Sequence, residues 1–213
     1  RHLRPAVFIA LDQVAELAEI RATGEAWEIG GGARLTDIGE ALGGEIPALD
    51  EMLRWFASRQ IRHRATLGGN LATASPISDS APLLLALDAV LRLAGAEGER
   101  EVPVAEFFTG YRRTVLRPGE LIRSIVIPRR AAGRLEFFKV SKRREMDIST
   151  VSAAIRIATD ERGIVTEARL AFGGVAEMPV RALAVERMIV GRPLAADAEV
   201  LELLEKCFTP LDD

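Results

Sequence analysis

The sequence is short of the residues that build covalent or metal-held scaffolds. Its 213 residues include one cysteine, Cys207, and two histidines, His2 and His63. A lone thiol excludes an internal disulfide framework and any cysteine cluster holding zinc or iron and sulfur. Two histidines leave little for a His-rich metal site. Aromatic residues are 5% of the chain, too few to interleave with basic residues as a stacking platform for single-stranded nucleic acid. No stretch approaches the ~18 consecutive apolar residues of a membrane-spanning helix, because charges or turn formers interrupt every run. The chain opens Arg1-His2-Leu3-Arg4-Pro5, without Met, and no apolar signal core follows. A piece of a longer, cytoplasmic polypeptide is expected, with no membrane and no nucleic acid among its partners.

What is present is ordinary for a folded protein. Hydrophobic residues make up 48% and charged residues 28%, enough for a real core over one large or two modest domains. Lys and Arg number 28 against 31 Asp and Glu, for a net charge of −3. Any basic site must therefore be local. The run Lys142-Arg143-Arg144, followed by Glu145 and Asp147, reads as a solvated loop.

Periodicity gives a coarse map. Ala6–Leu11 reads as a buried strand and Gln13–Ile20 as a short helix. Trp27-Glu28-Ile29 is a strand fragment ending at Gly30-Gly31-Gly32, and Thr36 and Asp37 are placed to cap a helix toward Leu42. Leu49, Met52, Leu53, Phe56 and Ala57 recur at helical spacing over Ala48–Ala57. Gln60–Asp79 reads as a compact, turn-rich segment, Ala81–Ala86 as a helix, Ala89–Leu93 as a strand and Pro103–Phe107 as a helix start. Leu121–Ile127 is a strand ended by Pro128, and Pro128–Gly133 is the best boundary in the chain. Beyond it, strands at Glu136–Val140, Val151–Ala158 and Ile164–Phe172 precede helices at Ala182–Val190 and Ala198–Phe208. Strands followed by helices predict an α+β unit.

The stretch richest in chemistry is Thr66-Leu67-Gly68-Gly69-Asn70. Adjacent glycines remove Cβ atoms from an approach surface, and consecutive N–H groups in such a turn suit phosphate. Thr73, Ser75, Ser78 and Asp79 follow, rich in hydroxyls for a polyhydroxylated ligand. The competing reading is a plain tight turn. The pattern is neither the dinucleotide fingerprint G-x-G-x-x-G nor a P-loop.

In its wider context the stretch resembles a known family. Leu53 to Ala57, Gln60-Ile61-Arg62, Ala65 to Asn70 and Ala74 to Asp79 are similar to the FAD-binding domain of the molybdenum hydroxylases, most of all its xanthine dehydrogenase branch. Phe107 to Thr114, Leu116 to Pro128, Phe138 to Asp147 and Phe172 to Ala176 add to the likeness. The resemblance implies an α+β, two-part flavoprotein module: an FAD-binding part over 1–128, lacking the family's first diphosphate-binding segment, and over 134–213 an antiparallel sheet with helices like the C-terminal flavoprotein domain of carbon monoxide dehydrogenase. It implies FAD contacts from Phe56, Thr66, Leu67, Gly68, Gly69, Asn70, Asp79, Ile122 and Lys139. The Thr66–Asn70 loop would follow the ribityl–diphosphate with its N–H groups, Phe56 and Ile122 would cover the two faces of adenine, and Asp79 and Lys139 would make polar contacts. On the residues alone Phe56 also reads as a core aromatic, Asp79 as a helix cap and Lys139 as a solvated strand residue. His63 and Arg64 depart from the family pattern. No residue is assigned a catalytic or metal-binding role here. The implied whole is an NAD-dependent enzyme with 2Fe-2S clusters in another domain of the same chain and molybdopterin in a partner subunit. A sibling hydroxylase subunit, of the carbon monoxide dehydrogenase or aldehyde oxidase kind, and a flavin-free docking module are the alternatives.

Overall fold

A computed structural model describes residues 7, 9–129, 132–144, 146–195 and 198–211. In chain order its elements are α1 (Ala15–Ala18), β1 (Ile20–Ala22), β2 (Ala26–Gly30), α2 (Leu35–Leu42), α3 (Pro47–Trp55), α4 (Arg59–Arg62), α5 (Leu67–Ala72) and α6 (Ser80–Ala86). Then come β3 (Val90–Gly95), β4 (Gly98–Pro103), α7 (Val104–Phe107), β5 (Phe108–Gly110), β6 (Arg113–Thr114), β7 (Leu121–Pro128), β8 (Arg134–Val140), β9 (Val151–Thr159), β10 (Val165–Gly173), β11 (Val180–Arg181), α8 (Leu183–Ile189) and α9 (Ala198–Lys206). Mixed helices and antiparallel sheets make this the α+β class.

A five-stranded sheet is ordered β1-β2-β7-β3-β4 and a four-stranded one β11-β10-β9-β8. Every pairing within them is antiparallel. Between the sheets lies α6, whose seven residues are all buried. A helix apolar on every side must be covered on every side. Its leucines share a core with Ile29, Ile125 and Ile127 of the first sheet and with Phe137, Ala154 and Ala171 of the second. The neighbouring positions Ala153, Leu170 and Phe172 face the other way, onto a second core with Val185 and Ile189 of α8. Period-2 alternation therefore buries both faces of β9 and β10.

Local chemistry explains most boundaries. Pro47 occupies the first turn of α3, Asp50 lies near its start and Arg54 near its end, as the helix dipole favours. Ala48, Leu49, Met52 and Leu53 are its buried face, and Ala57, at φ 44°, turns the chain away. The expected cap at Thr36 and Asp37 is corrected: α2 begins at Leu35, so both residues lie inside its first turn and neither caps it. The expected strand over 6–11 is also corrected. Ala6 and Phe8 lie outside the described residues, while Val7, Ile9 and Leu11 are exposed and pair with no strand. Apolar character alone does not make a strand where no partner edge is available. Gln13–Ile20 forms only the single turn α1 before β1 begins at Ile20. Among the described residues no helix is long and apolar enough to cross a membrane.

Candidate flavin site

The Thr66–Asn70 stretch is the start of a helix rather than an open turn. Thr66 is the N-cap of α5, and its Oγ1 accepts the Gly69 N–H at 3.1 Å. Leu67 N donates to Ala33 O, Gly68 N to Gly31 O at 3.0 Å and Asn70 N to Thr66 O at 3.0 Å. The expectation that these N–H groups are turned toward a phosphate is thereby corrected: each already has a partner inside the chain. What the loop offers a ligand is close approach and side-chain groups. Leu67 points its side chain into the core, 2% exposed.

The glycines of this loop differ in kind. A Cβ on Gly68 would lie 2.5 Å from the Gly31 carbonyl oxygen, and one on Gly31 would lie 2.0 Å from the Ile122 oxygen. Three backbones thus meet without side chains between them. A Cβ on Gly69 would meet only the Thr66 hydroxyl, at 2.8 Å, so Gly69 leaves room on the exposed side. That side opens on a cavity of about 630 Å³, whose lining includes Gly31, Gly32, Thr66, Gly68, Gly69 and Ile122. Of Gly30-Gly31-Gly32, which the sequence marks only as the end of a strand, two glycines lie on the cavity wall. Arg34, Asp37, Arg64, Leu116, Glu120 and Leu121 also line it and were not foreseen. They come from separate segments of the chain and carry no pattern of their own.

Ile122 lines this cavity and Phe56 does not. Phe56 is half-buried against the first core at the C-terminal end of α3, and Arg62 Nη1 bonds its carbonyl at 2.6 Å. Asn70 is engaged as well: its Oδ1 accepts from Ser80 Oγ at 2.5 Å and Ser78 Oγ at 3.0 Å. Ser78, not Asp79, offers a hydroxyl to α6, accepting Ala81 N–H at 3.3 Å.

Asp79 instead ties the chain before α6 to the second sheet. Its Oδ2 accepts from Lys139 Nζ at 2.8 Å, and its Oδ1 accepts a close hydrogen bond from Ser149 Oγ. Lys139 Nζ also donates to the Trp55 carbonyl at 3.2 Å. The Lys139 and Asp79 side chains are only 7% and 9% exposed. The solvated-strand reading of Lys139 is thus corrected, and so is the helix-cap reading of Asp79. A buried ammonium must be paired and hydrogen-bonded, and this one is. The Gly173–Gly174 turn supports the same place: Gly174 N donates to Pro76 O at 2.8 Å, and Ser152 Oγ to Ser78 O at 3.2 Å. Gly174 has φ +84°, and a Cβ there would lie 2.1 Å from the Thr150 oxygen.

Lys139 and Trp55 also line a separate basic recess of about 440 Å³ with Val140, Ser141, Lys142, Arg143 and Arg144. Arg143 is tied to Asp147 at 3.1 Å. The Arg143 side chain, then its backbone N–H, hold the Asp147 carboxyl below its usual range. Lys142 and Arg144 have no ion-pair partner among the described residues.

At the rim of the larger cavity Arg100 grips Glu120 through two bonds of 2.8 Å, and Arg117 N–H adds a third of 2.8 Å. The Arg100 side chain first, then the Arg117 amide, lower the Glu120 carboxyl from 4.5 to about 2. A depressed carboxyl contributes stability that is full above about pH 4.5 and is lost as pH falls toward 2. Arg100→Met is therefore expected to flatten the acid limb of stability in that window. Urea midpoints taken between pH 5 and pH 2 test this, and parallel curves for parent and variant would contradict it.

Two antiparallel sheets packed on either side of α6, a glycine-lined cavity and a buried Lys–Asp pair are the frame of an FAD-binding flavoprotein module. The family model described as the FAD binding domain in molybdopterin dehydrogenase matches residues 1–130, and that of the CO dehydrogenase flavoprotein C-terminal domain matches residues 136–213. The chain belongs to this family, the FAD-binding region of the molybdenum hydroxylases. It is 37% identical over 205 residues to a xanthine dehydrogenase of Emericella nidulans and 40% identical over 209 residues to nicotinate hydroxylase hnxS of the same organism, covering 90% and 85% of this chain. It spans about 15% of the length of either relative. Among solved structures, a Cu,Mo-CO dehydrogenase chain aligns with TM-score 0.86 at 29% identity, covering 94% of this chain and 71% of that one. Quinoline 2-oxidoreductase from Pseudomonas putida 86 aligns with TM-score 0.86 at 28% identity, covering 95% and 72%.

Proposed function

We propose that the chain is the flavin-binding portion of a xanthine dehydrogenase-like oxidoreductase. In the whole enzyme, FAD would take electrons arriving from iron–sulfur clusters and hand them as hydride to NAD. The substrate would be oxidised at a molybdopterin centre in a partner subunit, and the iron–sulfur domain would belong to the same polypeptide, in the cytoplasm. We further propose the division into 1–128 and 134–213 as its two units.

One observation carries the flavin assignment: backbone without side chains, at Gly31, Gly32, Gly68 and Gly69, walls a cavity of about 630 Å³. The residues present fit FAD. Thr66 to Asn70 would bear on the cofactor's ribityl–diphosphate part and Phe56 and Ile122 on adenine, while Asp79 and Lys139 would make polar contacts to it. The carbon monoxide dehydrogenase likeness favours a second reading, a sibling hydroxylase with another acceptor. The basic recess with Lys142 and Arg144 supports the NAD reading, because it suits an anionic dinucleotide.

Gly69→Val tests the assignment. It adds bulk on the cavity side, where only the Thr66 hydroxyl is displaced. FAD per full-length protein should fall severalfold with the circular dichroism spectrum retained. Gly68→Val, pressed against Gly31 backbone, should instead lower stability by about 1–3 kcal/mol or more. Full FAD content in Gly69→Val would contradict the assignment of this loop.

A further inference from the structure

Lys139 carries three N–H bonds on its ammonium, and the structure uses two of them, toward Asp79 Oδ2 at 2.8 Å and Trp55 O at 3.2 Å. The third is the one left for a ligand. The direction of that third bond depends on what holds the other two, and the Asp79 carboxylate is the movable partner. It comes from the chain just before α6, makes no cap bond there, and reaches across to the second sheet.

Its other oxygen is held by one side chain. Ser149 is 4% exposed, and its Oγ–H donates to Asp79 Oδ1. No other donor among the described residues reaches that oxygen. Ser149 itself is on a fixed segment. The next residue, Thr150, donates its N–H to Val140 O at 2.8 Å, and its carbonyl lies under Gly174, where even a Cβ would not fit. Asp79 and Lys139 therefore form a chain of two charged groups whose far end is anchored by a neutral hydroxyl.

We propose that Ser149 is a positioning residue: it orients the Asp79 carboxylate so that the Lys139 ammonium is held with its remaining N–H free for FAD. This rests on the flavin reading of Lys139 and deepens it. With the hydroxyl removed, Oδ1 is a buried acceptor with no donor but the same ammonium. Both carboxylate oxygens then compete for Lys139, and the cation is more fully neutralised by Asp79. Less positive charge remains to favour the reduced, more negative cofactor over the oxidised one.

The test is the midpoint potential of bound FAD in the FAD-replete full-length enzyme, for the parent and for Ser149→Ala, Ser149→Thr and Lys139→Met. Ser149→Ala should weaken the preference for reduced over oxidised FAD about tenfold, which is about 30 mV lower for a two-electron couple. Ser149→Thr keeps a hydroxyl and should return the potential to the parent value. Lys139→Met should lower it further than Ser149→Ala does. A parent-like potential in Ser149→Ala beside a lowered one in Lys139→Met overturns the role of Ser149 and leaves the flavin reading standing. An unchanged potential in Lys139→Met overturns the placement of Lys139 beside the flavin. Equal lowering in both Ser149 variants would assign the effect to buried volume rather than to the hydroxyl, and also overturns the proposal.

Discussion

In the full-length enzyme, Lys139→Met is expected to slow NAD reduction about tenfold more than it slows substrate oxidation by an artificial acceptor that draws electrons upstream of FAD. Tenfold is about 1.4 kcal/mol of barrier, a modest demand on one charge in a nearly dry site. Lys139 has a 7% exposed side chain and an Asp79 partner at 2.8 Å, so its loss also strands a buried carboxylate. Removing one member of a buried pair costs about 3–5 kcal/mol, and the variant should be less stable for that reason alone. The double change Lys139→Met with Asp79→Asn separates the two effects. It should recover much of the stability, because no lone charge remains, and none of the selective loss in NAD reduction. Equal slowing of both assays in the single and double variants would show that the charge at 139 has no part in the flavin step.

An effect on folding of similar size is expected from Glu186→Ala. Glu186 is 5% exposed and is fully engaged. Its Oε1 accepts from Leu170 N at 2.8 Å and Arg181 Nε at 2.9 Å, and its Oε2 accepts from Arg181 Nη2 at 2.5 Å. It thereby joins α8 to β10 and β11. Arg181 continues to Asp88 at 3.4 Å, and Asp88 also meets Arg156 and Arg169. Alanine leaves a buried amide without an acceptor and an arginine without its main partner, a loss of about 3–5 kcal/mol. Glu186→Gln keeps an acceptor for Leu170 N–H and should lose clearly less. Urea denaturation of the full-length protein measures both. A change in Glu186→Ala within ~0.5 kcal/mol, as for an ordinary surface site, would contradict this account of the second core.

What could be read from the sequence follows physical lines. The apolar spacing from Leu49 through Leu53 made α3 legible; expected over Ala48–Ala57, it runs Pro47–Trp55. The apolar strands β9 and β10 were legible because both their faces are buried. The hairpin strand β4 was not, since Gly98–Pro103 is mostly exposed and polar. Its pairing with β3, not its composition, makes it a strand. At the site, the glycines of Thr66–Asn70 marked close approach, but the spent N–H groups of Leu67 and Gly68 were invisible: their partners, Ala33 and Gly31, are more than 30 residues away. Lys139 showed the same limit. Burial of a lysine is the exception, and only the meeting of Asp79, Trp55 and Ser149 from three separate segments makes it possible here.

The central claim is that this chain holds FAD against its glycine-lined wall. Its most direct test is the cofactor content of the purified full-length protein, read from the visible flavin bands and from FAD released on denaturation. The account predicts stoichiometric FAD in the parent, sharply reduced in Gly69→Val with the fold retained. A correctly folded full-length parent with no flavin bands, and none gained on incubation with FAD, would contradict it.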